Sequence, residues 1–392
     1  MSAGDKPTLI IVGAGLGGLM LGALLEKAGI PYTIFERAHV VKPLGSAMAV
    51  GPAILPIFQQ LGIYDEILAI SKPFYHVYNY LEATQGLRTV KPTHFGLVEE
   101  LSQHTKSSSR VLDITEKDDK ITVHLADNVT FEADIVVGAD GAYSAVRQRM
   151  FDSLKQKGVL PKADQKDLPF DAICLMGQTK VLDPKAFPVI TLPYGHFTQI
   201  VGKGRPYSWH TFATAQNTIC YMVMQHLPKT MSKAAIEERA RDSKNSEWTF
   251  HPIEAMMEET RHFPIPLGDG KEGILGDLFD LTSKEFMSKV MLEDKVFETW
   301  YNGRSVLLGD GAVTAMHDAV ALANLLYSMP TKTPEDITRL FQEYRKERYP
   351  AVMESYNTSK QLAKTALGGI IGTIYFYFVV YMPFFLWRYV VR

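Results

Sequence analysis

A chain of 392 residues with 46% hydrophobic residues can bury more than one core, which points to two or more domains and excludes a disordered or low-complexity protein. Its 41 basic and 43 acidic residues leave a formal net charge of -2, which offers no long-range attraction for nucleic acid or an anionic membrane surface. Two cysteines, Cys174 and Cys220, carry neither metal-site nor CxxC spacing, so small-molecule chemistry in a reducing compartment, without a metal, is expected.

The chain opens without a basic region followed by a long apolar one, so its first apolar run reads as a strand and not a signal peptide. That run, Leu9 to Val12, is of the kind that forms a buried parallel strand, and it enters the sequence Gly13-Ala14-Gly15-Leu16-Gly17-Gly18. The match is to GxGxxG. Gly13 permits the tight turn, Gly15 lets the backbone approach a pyrophosphate, and Gly18 lets the following helix pack closely on the strand. The helix N-terminus then presents free N–H groups and a positive dipole end to that anion. The helix is expected to end at Gly29 before a second strand over Pro31 to Glu36. Glu36 stands 23 residues after Gly13, close to where an acidic side chain accepts hydrogen bonds from a ribose. Together these elements predict a Rossmann-like dinucleotide site, without deciding between NAD and FAD.

Two later segments bear on that choice. Ile135 to Gly138 runs as an apolar strand into Ala139-Asp140-Gly141-Ala142-Tyr143-Ser144-Ala145-Val146-Arg147, and Ser305 to Leu308 runs into Gly309-Asp310. The first resembles the DGxxSxVR segment, and the second the GD motif, of the flavoprotein monooxygenases that include para-hydroxybenzoate hydroxylase and squalene epoxidase. The overall pattern looks most like the fungal FAD-dependent enzymes of secondary metabolism. The resemblance implies FAD as cofactor, with NAD(P)H and O2 as co-substrates. It places Asp140 and Gly141 near the flavin pyrophosphate, Asp310 on the ribityl chain, and Arg37 beside the ribose acid. Ala49, in the stretch from Gly45 to Val50, would pass the flavin, and Gly309, Gly311 and Ala312 would complete the third segment. A helix cap is the plainer role open to Asp140.

The same resemblance exposes two departures. Relatives follow the GD aspartate with a loop of the type AxHxxxPxxGxG, whereas here Gly311 and Ala312 come at once, a loss of roughly a dozen residues. Shortening the lead-in is expected to pull the next helix, which includes His317 to Leu326, away from its position. Relatives also carry an RPxLxxxL segment where this chain reads Leu101 to Arg110, a polar stretch. Omitted exons or a degenerate copy would explain both, and they raise an alternative from another class: a pseudoenzyme that keeps the fold without turnover. A flavin reductase or dehydrogenase that does not use oxygen is a third reading.

Between the second and third segments, Val189 to Leu192, Tyr207 to Phe212 and Thr218 to Met224 have the β-branched and aromatic content of strands, and Ser232 to Asn245 reads as an exposed helix. In the family this insert is a β-sheet beneath the substrate. Tyr194, His196 and His210 are its candidate polar members, none with a catalytic assignment. The expected organisation is an α/β FAD-binding domain, discontinuous over 1–160 and 301–350, with an inserted β-sheet substrate domain over 161–300 and a C-terminal helical tail over 351–392.

The tail holds 23 uncharged residues between Lys364 and Arg388, which as a helix would extend roughly 34 Å. Aromatics crowd its second half and cations flank it, so a membrane segment over 366–387 is expected, with a terminal core helix as the alternative. The chain is then expected to be membrane-associated, its catalytic domain on the cytosolic face, oxygenating a small lipophilic substrate taken from the bilayer, with no nucleic-acid partner.

Overall fold

The computed structural model describes residues 6–38, 48–82, 87–89, 93–94, 111–117, 120–125, 129–166, 170–227, 253–293, 295–309 and 311–366. The chain divides into two compact units, one formed by Met1–Val41, Gln103–Leu168 and Lys295–Ser355, the other by Lys42–Ser102, Pro169–Asp294 and Tyr356–Arg392.

In the first unit a five-stranded sheet runs in the order Tyr301–Asn302, Ser305–Leu307, Ile135–Gly138, Leu9–Val12, Tyr32–Phe35. The last four strands are mutually parallel, with Val12 level with both Phe35 and Gly138, and Gly138 level with Leu307. Leu9–Val12 and Ile135–Gly138 are buried at every position, the signature of central parallel strands. Because the strands end in register, the loops that follow them emerge together at the carboxyl edge, where open α/β sheets bind ligands. An antiparallel meander of Val111–Lys117, Lys120–Leu125 and Thr130–Ala133 joins the same core through Ile121, Val123 and Leu125, packed with Ile10, Val12 and Val136.

Helix Leu16–Ala28 ends where the sequence predicts, with Gly29 in the left-handed conformation at φ 62°. The Ala312–Ser328 helix packs directly on it: a Cβ added at Gly17 would lie 2.7 Å from the Ala315 Cβ. The helix is thus seated on the glycine-loop helix.

The second unit is built on an eight-stranded sheet whose main path runs Met287–Glu293, Phe170–Gln178, Ile219–His226, Tyr207–Ala213, Phe197–Val201, His76–Glu82, Leu87–Thr89. Alternation gives the sheet two unlike faces. Leu175, Tyr207, Trp209, Tyr221, Val223 and Ile200 point to one face and join a buried cluster with Phe263, Leu275 and Phe279. The Trp209 indole donates to the Pro264 carbonyl at 2.8 Å, so its polar atom is satisfied inside that core. Val189 to Leu192, expected as a strand, forms instead a 3-10 turn, Pro188–Thr191. Pro188 has no N–H for a ladder, and the Thr191 hydroxyl donates to the Pro188 carbonyl at 2.8 Å, a local bond that competes with pairing. The exposed helix expected over Ser232 to Asn245 lies outside the described residues.

The expectation of membrane association is corrected. Among the described residues no helix is long and apolar enough to cross a membrane. The long terminal helix, Pro334–Ala366, carries charged residues throughout, including Lys346, Arg348 and Lys360, which a bilayer core would expel. The expected segment 366–387 begins at the last residue of this helix, and 367–387 lies outside the described residues.

Candidate functional site

At the carboxyl edge of the first unit's sheet, the glycine loop and the Asp140 segment are in direct contact. Gly13 has φ +105°, and a Cβ there would fall 2.4 Å from the Ala139 carbonyl oxygen. Only glycine meets both conditions. Gly18 faces the loop itself, its hypothetical Cβ 2.1 Å from the Gly13 oxygen, so helix and turn close to backbone contact. Gly15 precedes the helix, exposed, with no side-chain cap on the first-turn N–H groups and no acidic residue in that turn. An uncapped, accessible helix N-terminus of 13 residues can receive an anion.

Glu36 is anchored to the loop. Its Oε2 accepts the Ala14 N–H at 2.8 Å and its Oε1 the Ala38 N–H at 2.8 Å, while Gly13 N donates to the Phe35 carbonyl at 2.8 Å. A carboxylate offers about four acceptor sites, so two remain for hydroxyl donors. Arg37 follows with an exposed side chain.

Asp140 has two unlike oxygens. Oδ2 accepts the Ala145 N–H at 2.6 Å and caps helix Ala145–Gln156 together with Ser144, whose Oγ accepts the Arg147 N–H at 3.0 Å. Oδ1 is buried with no hydrogen-bond partner among the described residues. The capping role and an unsatisfied acceptor thus coexist in one side chain, and the second needs a donor from elsewhere. Gly141, beside it, is exposed at φ +76°, and a Cβ added there would meet nothing within 4 Å.

At the third segment the structure shows a support that the sequence alone does not announce. Asp318, 1% exposed, accepts the Gly309 N–H at 2.9 Å through Oδ2 and the Arg348 Nε at 2.7 Å through Oδ1. The Tyr344 hydroxyl, its pKa raised by burial and by Asp318, donates to the Leu307 carbonyl at 3.1 Å. This network pins the strand end and turn that precede Gly311, the N-cap of the next helix, and the exposed Ala312. Its one sequence signal is an acid on the helix face that otherwise buries Ala315, Ala319 and Leu322. Asp310 lies outside the described residues, as do Gly45, Ser46 and Ala47 and the stretch from Leu101 to Arg110. Ala49 belongs to the second unit and is exposed.

In that second unit, His210 and His196 part company. Register places His210 level with Gln199 and Met222, on the face opposite the buried cluster, where its ring stacks on Phe197 at 5.6 Å. His196 stacks on Tyr78 at 4.1 Å, and the Tyr78 hydroxyl lies 3.5 Å from that of Tyr194. Burial lowers both histidines to about 4, so both are neutral at physiological pH.

The residues brought together at the sheet edge fit a dinucleotide, since they combine a cradle that a Cβ would fill, an open helix N-terminus, and a buried carboxylate oxygen awaiting a donor. Comparison with known proteins says which. Residues 6–264 match the FAD binding domain family. The chain is 27% identical to the FAD-dependent monooxygenase ptmM of Penicillium ochrochloron, over 95% of this chain and 92% of that protein. It is 26% identical to the FAD-dependent monooxygenase ctvC of Aspergillus terreus, over 83% of this chain and 71% of that protein. Its fold is similar to that of Klebsiella pneumoniae HpxO complexed with FAD and uric acid, with TM-score 0.66 and 17% identity over 95% of this chain and 92% of that one. With the glycine loop, the Asp140 segment and the family match in agreement, the chain belongs to the FAD binding domain family, in the class of FAD-dependent monooxygenases.

Proposed function

We propose that this protein uses NAD(P)H and O2 to hydroxylate or epoxidise a small lipophilic substrate. The observation that carries the reading is the unpartnered Asp140 Oδ1 beside the Gly13 turn, a polar site built for a hydroxyl-bearing, phosphate-bearing ligand. FAD, when bound, supplies the redox chemistry: NAD(P)H is oxidised, one atom of O2 enters the substrate and the other leaves as water.

The chain's own residues have simpler tasks. Gly13, Gly15 and Gly18 bring the backbone to the pyrophosphate, and the first-turn N–H groups after Gly15 offset its charge. Glu36 accepts from a ribose with the lone pairs that Ala14 and Ala38 leave, and Arg37 extends beside it. Asp140 Oδ1, together with Gly141, takes a donor from the cofactor. Gly309, Asp310, Gly311 and Ala312 form the ribityl side, with Asp318 and Arg348 holding the Gly309 backbone. Ala49 is a further flavin contact on this reading. The second unit's sheet supplies the apolar surface: Met176, Met222, Met224, Phe197 and Phe212 are half-buried on one face, a flexible lining that suits a lipophilic molecule.

The pseudoenzyme alternative has no support from the comparisons, whose relatives are named as FAD-dependent monooxygenases. The test is direct. Purified protein should be yellow, and a panel of prenylated aromatics and terpenoids should include compounds that raise NAD(P)H oxidation and acquire isotope label from O2. Colourless protein that FAD does not reconstitute would sink the proposal; flavin reduction without label in any product would favour a reductase.

A further inference from the structure

The sheet of the second unit has one face covered by the buried cluster and an opposite face that carries half-buried apolar side chains. On Tyr207–Ala213 the cluster side is buried at Tyr207, Trp209, Thr211 and Ala213, and on the other side Ser208 and His210 are buried while Phe212 is half-buried. On Ile219–His226 the cluster side is buried at Ile219, Tyr221 and Val223, and on the other side Cys220 is buried while Met222, Met224 and His226 are half-buried. Met176 and Phe197 continue this opposite face on the flanking strands, and Phe74 closes one end, 6.0 Å from Phe197 and 6.3 Å from Phe212 between ring centroids.

Among these side chains stands His210, with Gln199 level with it on the next strand and Ser208 and His226 on the same face. Its side chain is within a few per cent of full burial, and neither Nδ1 nor Nε2 has a hydrogen-bond partner of good geometry among the described residues. The Thr198 backbone lies near enough to interact with the ring by hydrogen bonding, and this favours its protonated form against the effect of burial. The neighbouring imidazole of His226 differs: its Nε2 lies 2.9 Å from the Ser208 hydroxyl. A neutral imidazole has one donor and one acceptor, and both want partners when water is excluded. A methionine at this place would complete the lining at lower cost, since Met222 and Met224 already sit beside it. A buried polar group without a well-placed partner, beside apolar side chains, is the kind of group that orients a ligand.

We propose that His210 is the polar anchor of the organic substrate, hydrogen-bonding a hydroxyl or carbonyl oxygen on a molecule whose remaining surface lies against Phe197, Phe212, Met222 and Met224. The substrate is thus a lipophile with at least one oxygen function before oxygenation, as a phenol, alcohol or ketone and not a bare hydrocarbon. This rests on reading the second unit's sheet as the substrate surface of a monooxygenase.

The test uses two probes of equal shape, 2-naphthol and 2-methylnaphthalene, titrated calorimetrically into the full-length protein. One neutral hydrogen bond in a desolvated setting predicts roughly tenfold tighter binding of 2-naphthol after correction for the probes' partition coefficients. His210→Phe should abolish the preference by weakening 2-naphthol alone, and His210→Gln should restore part of it. Equal affinity for the two probes, no binding of either, or a preference that survives in His210→Phe overturns the inference. Should the variants fail to fold, nitrogen NMR of histidine-labelled native protein decides: 2-naphthol, and not 2-methylnaphthalene, should shift one imidazole whose nitrogens are insensitive to pH near neutrality. Flavin content is measured on the same samples. Yellow protein without the preference defeats the anchor alone; colourless protein with it defeats the oxygenase reading and leaves the anchor standing.

Discussion

Asp318 divides its carboxylate between Arg348, whose Nε donates to Oδ1 at 2.7 Å, and the backbone of Gly309, whose N–H reaches Oδ2 at 2.9 Å. Asp318 is buried at 1% exposed and Arg348 largely so at 14%, so the carboxylate cannot exchange its partners for water. Removing one member leaves a buried charge without compensation. Asp318→Ala should cost about 3–5 kcal/mol of unfolding free energy. The double variant Asp318→Leu with Arg348→Met should cost less than the sum of the two single changes, because the stranded charge is gone and the Gly309 N–H is what remains unsatisfied. Urea midpoints of the two single variants and the double variant check this, and strict additivity would refute the pairing.

The glycines of the loop are required for different reasons, which substitution can separate. Gly18→Ala places a methyl carbon 2.1 Å from the Gly13 oxygen, a contact that backbone must move to relieve. We expect about 1–3 kcal/mol of lost stability and a marked fall in bound flavin. Gly141→Ala meets no atom within 4 Å and is strained only by its left-handed conformation at φ +76°, about 1–2 kcal/mol, with a smaller loss of flavin than Gly18→Ala. Flavin absorbance per protein, read beside thermal unfolding, distinguishes the two; equal loss of flavin in both variants would show that the loop tolerates neither cause.

The loop was legible in the sequence because its chemistry excludes every residue but glycine, and the spacing of Glu36 follows from the length of one helix and one strand. The site's supports were less so. Asp318 meets Arg348 across 30 residues and two helices, and nothing local marks either as the other's partner. His210 is ordinary in a strand that reads YSWHTFA; only the register with Phe197–Val201 and Ile219–His226 shows which face it joins. Pro188–Thr191 misled for a related reason, since β-branched content in Val189 to Thr191 outweighs, in composition alone, a proline whose effect depends on its place in a ladder.

Cys174 should be inert in the folded protein. Burial pushes its thiol up to about 12, and the thiolate is the species that alkylating reagents attack. Iodoacetamide at mildly alkaline pH should leave Cys174 unmodified under native conditions and modify it fully in denaturing urea. Mass spectrometry of the labelled peptides reads the outcome, and native labelling at Cys174 would mean that the strand Phe170–Gln178 opens far more often than its two antiparallel neighbours suggest.

Acid should destabilise the protein in a window set by its buried histidines. His196 and His210 fall from an ordinary value of 6.5 to about 4 in the folded state, through burial in both and, for His210, the nearby His226 as well. His226 is lowered too, also by burial. Between 6.5 and about 4 the unfolded chain therefore binds protons that the folded chain excludes, so stability falls as pH falls through that range, by about 1.4 kcal/mol per pH unit for each ring. Above 6.5 these groups contribute no slope. Replacing His196 or His210 by Phe should each remove one ring's share of the steepness when urea midpoints at neutral pH are compared with those near pH 5. An unchanged slope in both variants would mean that the rings take up protons within the fold, and that the faces of the sheet on which they lie are open to water.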